Sequence, residues 1–336
     1  MNIFQSPNIN QLWGNLIIEE LVRNGVEYFC LAPGSRSSPL AVAIALNPKA
    51  KKFIHFDERG VAFHALGYVS AAQKPCAIVC TSGTAVANFF PAIIEASKKK
   101  IPLIVLTADR PPELRLTGAE QTIEQVNIFG NYARCCIDLP CPTMEIPPEF
   151  VLTTVDQAVY RSKSSVAGPV HINCMYREPL APIATRQNFK NYLSNLNLWQ
   201  KANRPFTTYT KAHTDLSSDT VSGITTVLSQ IKKGVIAVGK LANEQEAQAV
   251  LRLAEKLQWP IFPDITSGLR LGTNHPNVIS YFDQILLSDK LRAARSLNGV
   301  LHLGGRLTAK RWYQYIEKSK PKHYIMVLNH PLRNDP

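Results

Sequence analysis

Four short segments gather hydroxyls, guanidiniums and carboxylates next to glycine or proline. They are Pro33-Gly34-Ser35-Arg36-Ser37-Ser38, Asp57-Glu58-Arg59-Gly60, Thr81-Ser82-Gly83-Thr84 and Thr107-Ala108-Asp109-Arg110-Pro111-Pro112-Glu113. In the first, glycine permits a tight turn, and backbone N–H groups at a helix start attract anions. Arg36 adds a planar fork matched to a carboxylate. In the second, Glu58 either complements a helix N-terminus or serves as a buried carboxyl of raised pKa that exchanges a proton with a cofactor. The third caps a helix or holds a polar ligand ring. In the fourth, paired prolines restrain the backbone, so Arg110 is held rather than mobile. Walker A and G-x-S-x-G signatures are absent, and no Gly-x-Gly-x-x-Gly follows the first strand. His55 and His64 lack the spacing of a ligand pair.

These segments need elements to aim them. Each follows an apolar run that reads as a buried strand: residues 26–32, 52–56, 76–80 and 102–108. The first three lead into helical patterns, with Pro39 suited to a first helical turn. A further strand is expected at 168–174. Continuous apolar strands alternating with helices predict a parallel sheet covered on both faces. In such a sheet ligands sit beyond the carboxyl ends of the strands, where the four segments lie. Residues 181–223 are polar and read as an interdomain linker. Alternation then resumes, with strands at 234–240, 259–265, 299–305 and 323–329 and an amphipathic helix over 243–258. The expected fold is α/β, with two domains that each hold a mainly parallel sheet flanked by helices, divided at 1–182 and 183–336.

Of 336 residues, 45% are hydrophobic and 18% charged, a globular balance. No apolar run reaches the length of a membrane span. The N-terminus has no basic segment followed by an apolar core, so it does not read as a secretion signal. The seven cysteines form no C-x-x-C pair, and most lie in apolar runs, which points to a reducing cytoplasmic compartment. The net charge of +12 is uneven: residues 1–185 hold 16 basic and 15 acidic side chains, and residues 186–336 hold 21 and 10. The excess is scattered and accompanies no nucleic-acid module, so small anionic substrates or an acidic partner surface explain it better.

Taken in order, APGSRSSPL, HFDERG, TSGTAVANFFPAIIEA, LTADRPPEL and GAEQTI resemble the 2-succinyl-5-enolpyruvyl-6-hydroxy-3-cyclohexene-1-carboxylate synthase family of thiamine diphosphate enzymes. Each motif is weak alone; their combination is specific. The resemblance is dense over 26–180 and resumes at LTAKRW and PLRNDP. It implies a pyrimidine domain followed by a transhydrogenase-like middle domain. The implied reaction is decarboxylation of 2-oxoglutarate and 1,4-addition of the resulting unit to isochorismate, in menaquinone biosynthesis. The implied cofactors are thiamine diphosphate and Mg2+. Glu58 matches the glutamate that hydrogen-bonds the aminopyrimidine ring, with Thr81 and Ser82 near that ring. Ser35, Arg36, Arg110, Gln121 and the middle-domain Lys310 match substrate-pocket positions.

Two departures stand out. Glu120 replaces a usual asparagine and brings negative charge to a site for anions, and Ala309 replaces a usual glycine beside Lys310. The sequence also contains no Gly-Asp dipeptide, the start of the loop that holds Mg2+ and the diphosphate on a third, pyrophosphate domain. The expectation is a chain of two domains whose activity needs that third domain. Within the family each cofactor lies between subunits, which implies a homo-oligomer or pairing with a pyrophosphate-domain polypeptide. Apolar helices around 60–72 and 84–96 then predict association. The alternative is a non-catalytic metabolite-binding or assembly subunit.

Overall fold

The computed structural model describes residues 5–164, 166–210, 215–294 and 297–333. The last three residues of PLRNDP lie outside that set. The chain forms two compact units, Met1–Lys211 and Ala212–Pro336.

In the first unit the elements are α1 (Ile9–Arg23), β1 (Tyr28–Leu31), α2 (Ser38–Leu46), β2 (Lys51–Ile54), α3 (Glu58–Ala72), β3 (Cys76–Cys80), α4 (Thr84–Asn88), α5 (Phe90–Lys99), β4 (Leu103–Asp109), β5 (Cys136–Leu139), α6 (Pro148–Lys163), β6 (Pro169–Met175) and α7 (Asn197–Lys201). Six parallel strands form one sheet in the order β2-β1-β3-β4-β6-β5. Alternate residues of β4 point to opposite faces. Ile104 and Leu106 join Leu16, Ile17, Leu40 and Val155 from α1, α2 and α6. Leu103 and Val105 join Val61, Ala65, Phe89 and Ile93 on the other side. Both faces are covered, as the apolar strand runs require.

Three elements differ from expectation. The helical pattern after β3 is two helices that meet at Phe89, because Pro91 has no N–H for a continuous ladder and sits instead in the first turn of α5. Strand β5 was not foreseen: it is four residues long and only half-buried, which leaves no apolar run to read. The first compact unit also runs beyond residue 182, into the stretch read as a linker. Phe189, Leu193, Leu196 and Trp199 are buried in the α1–α6 core, so four apolar side chains in a polar stretch fasten it there.

Two buried carboxyls hold the end of that stretch. Glu20 on α1 accepts from Trp199 Nε1 (2.6 Å) and from the backbone N–H of Phe206. Asp156 on α6 accepts from Thr207 N (2.6 Å) and Asn24 Nδ2 (2.7 Å). Burial first, and then the hydrogen-bonded carboxyl of Asp156, raise the Glu20 pKa from 4.5 to about 9.

The second unit contains α8 (Ser218–Ser229), β7 (Gly234–Val238), α9 (Glu244–Leu257), β8 (Ile261–Pro263), α10 (Phe282–Ile285), α11 (Asp289–Ala294), β9 (Gly299–Leu303), α12 (Lys310–Ser319) and β10 (His323–Val327). Its four strands are parallel in the order β10-β9-β7-β8. Helix α9 starts with a capping pair: Asn243 accepts from Glu246 N (2.9 Å), and Glu246 accepts from Ala242 N (2.8 Å). Gly239 and Gly305 meet backbone to backbone, and a Cβ on Gly239 would lie 1.6 Å from the Gly305 carbonyl oxygen.

A group whose folded pKa is raised stabilises the fold most below its unfolded value and loses that contribution as pH climbs to the folded value. For Glu20 that window runs from 4.5 to about 9. Buried His171, pushed down to about 4 by desolvation, has the opposite slope but only below 6.5. The urea midpoint of the first unit should therefore fall from pH 6.5 to 8. Glu20→Gln, which cannot ionise, should flatten that slope. An equally steep slope in the variant would show that Glu20 does not carry it.

Candidate active site

The first sheet reverses direction between β1 and β3: the connection from β1 runs outward to β2, and β3 lies on the other side of β1. Ligand crevices form at such switch points. Gly34 follows β1 and Thr81 follows β3. A Cβ on Gly34 would lie 2.2 Å from Thr81 Cβ, so the two loops approach more closely than any side chain at 34 permits. Gly83, at φ +85°, brings its backbone against Gln121, whose own φ is +52°.

Arg36 leaves the first loop as a buried cation. Its Nη1 donates to the Tyr176 carbonyl (2.9 Å) and lies 3.4 Å from Glu178 Oε1. Its Nε is buried and has no hydrogen-bond partner. Desolvation first, and then the positive charge of Arg110, lower the Arg36 pKa. Arg110 is half-buried and is held as the paired prolines suggested: Nη1 donates to Ser82 Oγ (3.1 Å), and its backbone N–H donates to Asp109 Oδ1 (2.7 Å). Thr81 and Ser82 are buried, whereas Ser35 and Gln121 are exposed.

Beneath these loops runs a polar network that no motif announced. Asp109 is fully buried and accepts from Arg115 Nη2 (2.9 Å) and Asn173 Nδ2 (2.8 Å). Asn173 Nδ2 also donates to Asp138 (2.8 Å), which pairs with Arg115 (3.0 Å). Gln125 donates to Asn173 Oδ1 (3.0 Å) and accepts from Gly83 N (2.8 Å). Thr107 Oγ1 donates to Asn173 Oδ1 (2.9 Å) and lies 2.7 Å from His171 Nε2. The only sequence cue was the polar character of β6, where His171 and Asn173 interrupt an apolar run.

Glu58 opens α3, where the Asp57 side chain caps the helix by accepting from Gly60 N (2.9 Å). It was expected to be a buried carboxyl. The structure makes it half-buried, with Oε2 accepting from Asn88 Nδ2 on α4 (3.3 Å). The reason is position: Val61, Ala62, Ala65, Leu66 and Val69 form the buried face of α3, and Glu58 lies one turn beyond its end. The carboxylate lies near enough to Cys80, at the end of β3, to raise that thiol's pKa, after burial.

Lys310 belongs to the second unit, where it is exposed in the first turn of α12. Buried Asp264 positions that turn by accepting from Thr308 N (2.6 Å) and Thr308 Oγ1 (2.7 Å). Ala309 has φ −71°, a conformation open to any residue, so the alanine is accommodated. Glu120 is exposed.

The donor set suits part of a thiamine diphosphate site. Glycine-containing loops, a reachable carboxyl and two guanidinium groups lie beyond the strand ends. A metal is a different matter: among the described residues no group of three His, Cys, Asp or Glu could hold one.

Comparison with known proteins places the chain in a family. Residues 13–128 match the model for the thiamine pyrophosphate enzyme N-terminal TPP-binding domain, and residues 190–336 match that for the thiamine pyrophosphate enzyme middle domain. The chain belongs to the thiamine pyrophosphate enzymes, of which it carries the N-terminal and middle domains. Within that class it is similar to proteins named 2-succinyl-5-enolpyruvyl-6-hydroxy-3-cyclohexene-1-carboxylate synthase. It is 46% identical to the one from Rubrobacter xylanophilus, over 98% of this chain and 57% of that protein. With the Salinibacter ruber protein of the same name it shares 44% identity, over 100% of this chain and 57% of the relative. A third relative, Protein PHYLLO, chloroplastic, from Arabidopsis thaliana, is 43% identical over 98% of this chain and 20% of its own length. The chain thus spans about 57% of the length of the first two. Among the described residues no helix is long and apolar enough to cross a membrane.

The Gly34–Thr81 approach yields a prediction. Gly34→Ala forces a methyl group into Thr81 and should destabilise the first unit by about 1–3 kcal/mol, as overpacking does. A urea midpoint equal to that of the wild type would refute the close approach.

Proposed function

We propose that the chain supplies the aminopyrimidine-facing and substrate-facing parts of a 2-succinyl-5-enolpyruvyl-6-hydroxy-3-cyclohexene-1-carboxylate synthase. The reaction joins 2-oxoglutarate and isochorismate with loss of CO2 and serves menaquinone biosynthesis. The observation that carries this reading is the arrangement around the first sheet's strand ends: a reachable Glu58 carboxyl, and two neighbouring cations, Arg36 and Arg110, on the loops after β1 and β4.

When bound, thiamine diphosphate supplies the electron sink that decarboxylation of a 2-oxo acid needs. Glu58 holds a proton at a ring nitrogen of the aminopyrimidine, the role of a general acid–base group. Thr81 and Ser82 border that ring. Arg36 and Arg110 bind substrate carboxylates, since both substrates are dianions and a guanidinium fork matches a carboxylate. Ser35 and Gln121 add polar contacts to the substrate, and Lys310 contributes a further cation from the middle domain. In this reading the pyrimidine domain is 1–182 and the middle domain 183–336. Mg2+ and the diphosphate are held by a pyrophosphate domain outside these residues, and the protein works in the cytoplasm as a homo-oligomer or with a pyrophosphate-domain partner. The charge of Glu120 at the edge of the pocket tunes anion affinity.

The test joins this chain to the part of the Rubrobacter xylanophilus relative that it does not match. The assay follows isochorismate-dependent CO2 release with thiamine diphosphate and Mg2+. Turnover is expected, and Glu58→Gln should reduce it by about 10²–10⁴-fold, the range for a general acid–base group. Full turnover in the Glu58→Gln protein would overturn the assignment.

A further inference from the structure

Arg36 carries a feature that substrate binding alone does not account for. It already has a carboxylate beside it, yet its Nε is left without a partner. The carboxylate is Glu178, three residues beyond β6. Its two oxygens have separate tasks: Oε2 accepts from the backbone N–H of Leu180 (3.2 Å), and Oε1 faces Arg36 Nη1 at 3.4 Å. That second distance exceeds the 2.7–2.9 Å usual for a charge-assisted hydrogen bond, so the pair is loose. Exposure is lopsided as well, with the Glu178 side chain 70% exposed and that of Arg36 9%. The carboxylate can swing into water at small cost, while the guanidinium stays in place.

Among the described residues, the nearby carboxylates are engaged elsewhere. Glu113 is held bidentately by Arg177, at 2.6 and 2.9 Å. Asp109 is neutralised by Arg115 and Asn173. Arg36 and Arg110 would otherwise face each other as two like charges in a partly desolvated crevice.

We propose that Glu178 is a placeholder carboxylate: it occupies Arg36 while the site is empty, and the carboxylate of an incoming organic acid displaces it. This rests on the reading of Arg36 as a substrate cation. Glu178 is thus a positioning residue that acts through Arg36 and sets the affinity an anion must exceed to enter. A bidentate ligand pairs with both η nitrogens at the end of the guanidinium, whereas Glu178 reaches only Nη1. A weakly binding anion does not gain enough to displace it.

The test is an NMR titration of the whole chain with 2-oxoglutarate, in the wild type and in Glu178→Gln, Glu178→Asp and Arg36→Gln. Glutamine keeps an oxygen for Leu180 N but offers Arg36 no anion. Glu178→Gln should bind about two- to fivefold more tightly, the worth of an exposed ion pair, and the gain should shrink with added salt. Structural damage does not raise affinity. Aspartate keeps the charge but loses the reach, so Glu178→Asp should fall between the wild type and Glu178→Gln. Arg36→Gln should bind at least tenfold more weakly. If Glu178→Gln binds no better than the wild type while Arg36→Gln is weakened, the placeholder is overturned and Arg36 keeps its role. Should Arg36→Gln match the wild type, or no protein bind, both readings are overturned.

Discussion

The buried charge of Asp109 is the constraint on which the rest of the site depends. A carboxylate with no exposure at the end of a central strand is sustainable only if its oxygens are fully partnered. Its partners come from three directions: Arg115 from the following loop, Asn173 from β6 and the Arg110 backbone N–H. Satisfying that one group fixes the loop after β4 against β6. Through Asn173 and Gln125 the same network reaches Gly83 and fixes the loop after β3. Arg110 is thus tied through its backbone to this buried carboxylate and through its side chain to Ser82.

The glycines at the switch point answer a different demand. Where neighbouring crossovers leave in opposite directions, the adjoining loops are free to part, and a crevice forms. Gly34 lets its loop close against the Thr81 side chain, and Gly83 lets its backbone close against that of Gln121. Hydrophobic burial on the two sheet faces supplies the stability, and the polar network and glycines supply the shape.

Much of this was legible in the sequence because it is local. A strand, a turn of small polar residues and a helix can be read within twenty residues, and β1, β3 and β4 were read so, with their loops. For Arg110 the adjacent prolines suggested restraint, but the contacts that hold it are hydrogen bonds to Asp109 and Ser82. What stayed hidden depends on partners far apart in the chain. Asn173 meets Asp109 across 64 residues, and Gln125 meets Asn173 across 48. Neither residue type identifies its partner. The segment around Trp199 looked like linker because its composition is polar, while four spaced apolar side chains and two distant carboxyls decide where it lies. Glu58 was found by its motif and misjudged in burial, since burial depends on what stands over the helix start.

That last point bears on the chemistry. A carboxyl that is to hold a proton near neutral pH needs a surrounding of low polarity, and water at its open side works against this. Phe56 is 82% exposed, Ile54 61% and Phe63 43%, and all three lie within five residues of Glu58. A lone apolar side chain on a surface is unremarkable, but three within five residues of Glu58, at one strand end and helix start, make an exposed apolar rim there. Covering the rim removes water from the aromatic and aliphatic surface and from the Glu58 carboxyl in the same step. Hydrophobic burial, favourable by about 25 cal/mol per Å² of apolar area, would then offset the cost of desolvating the polar groups beside it.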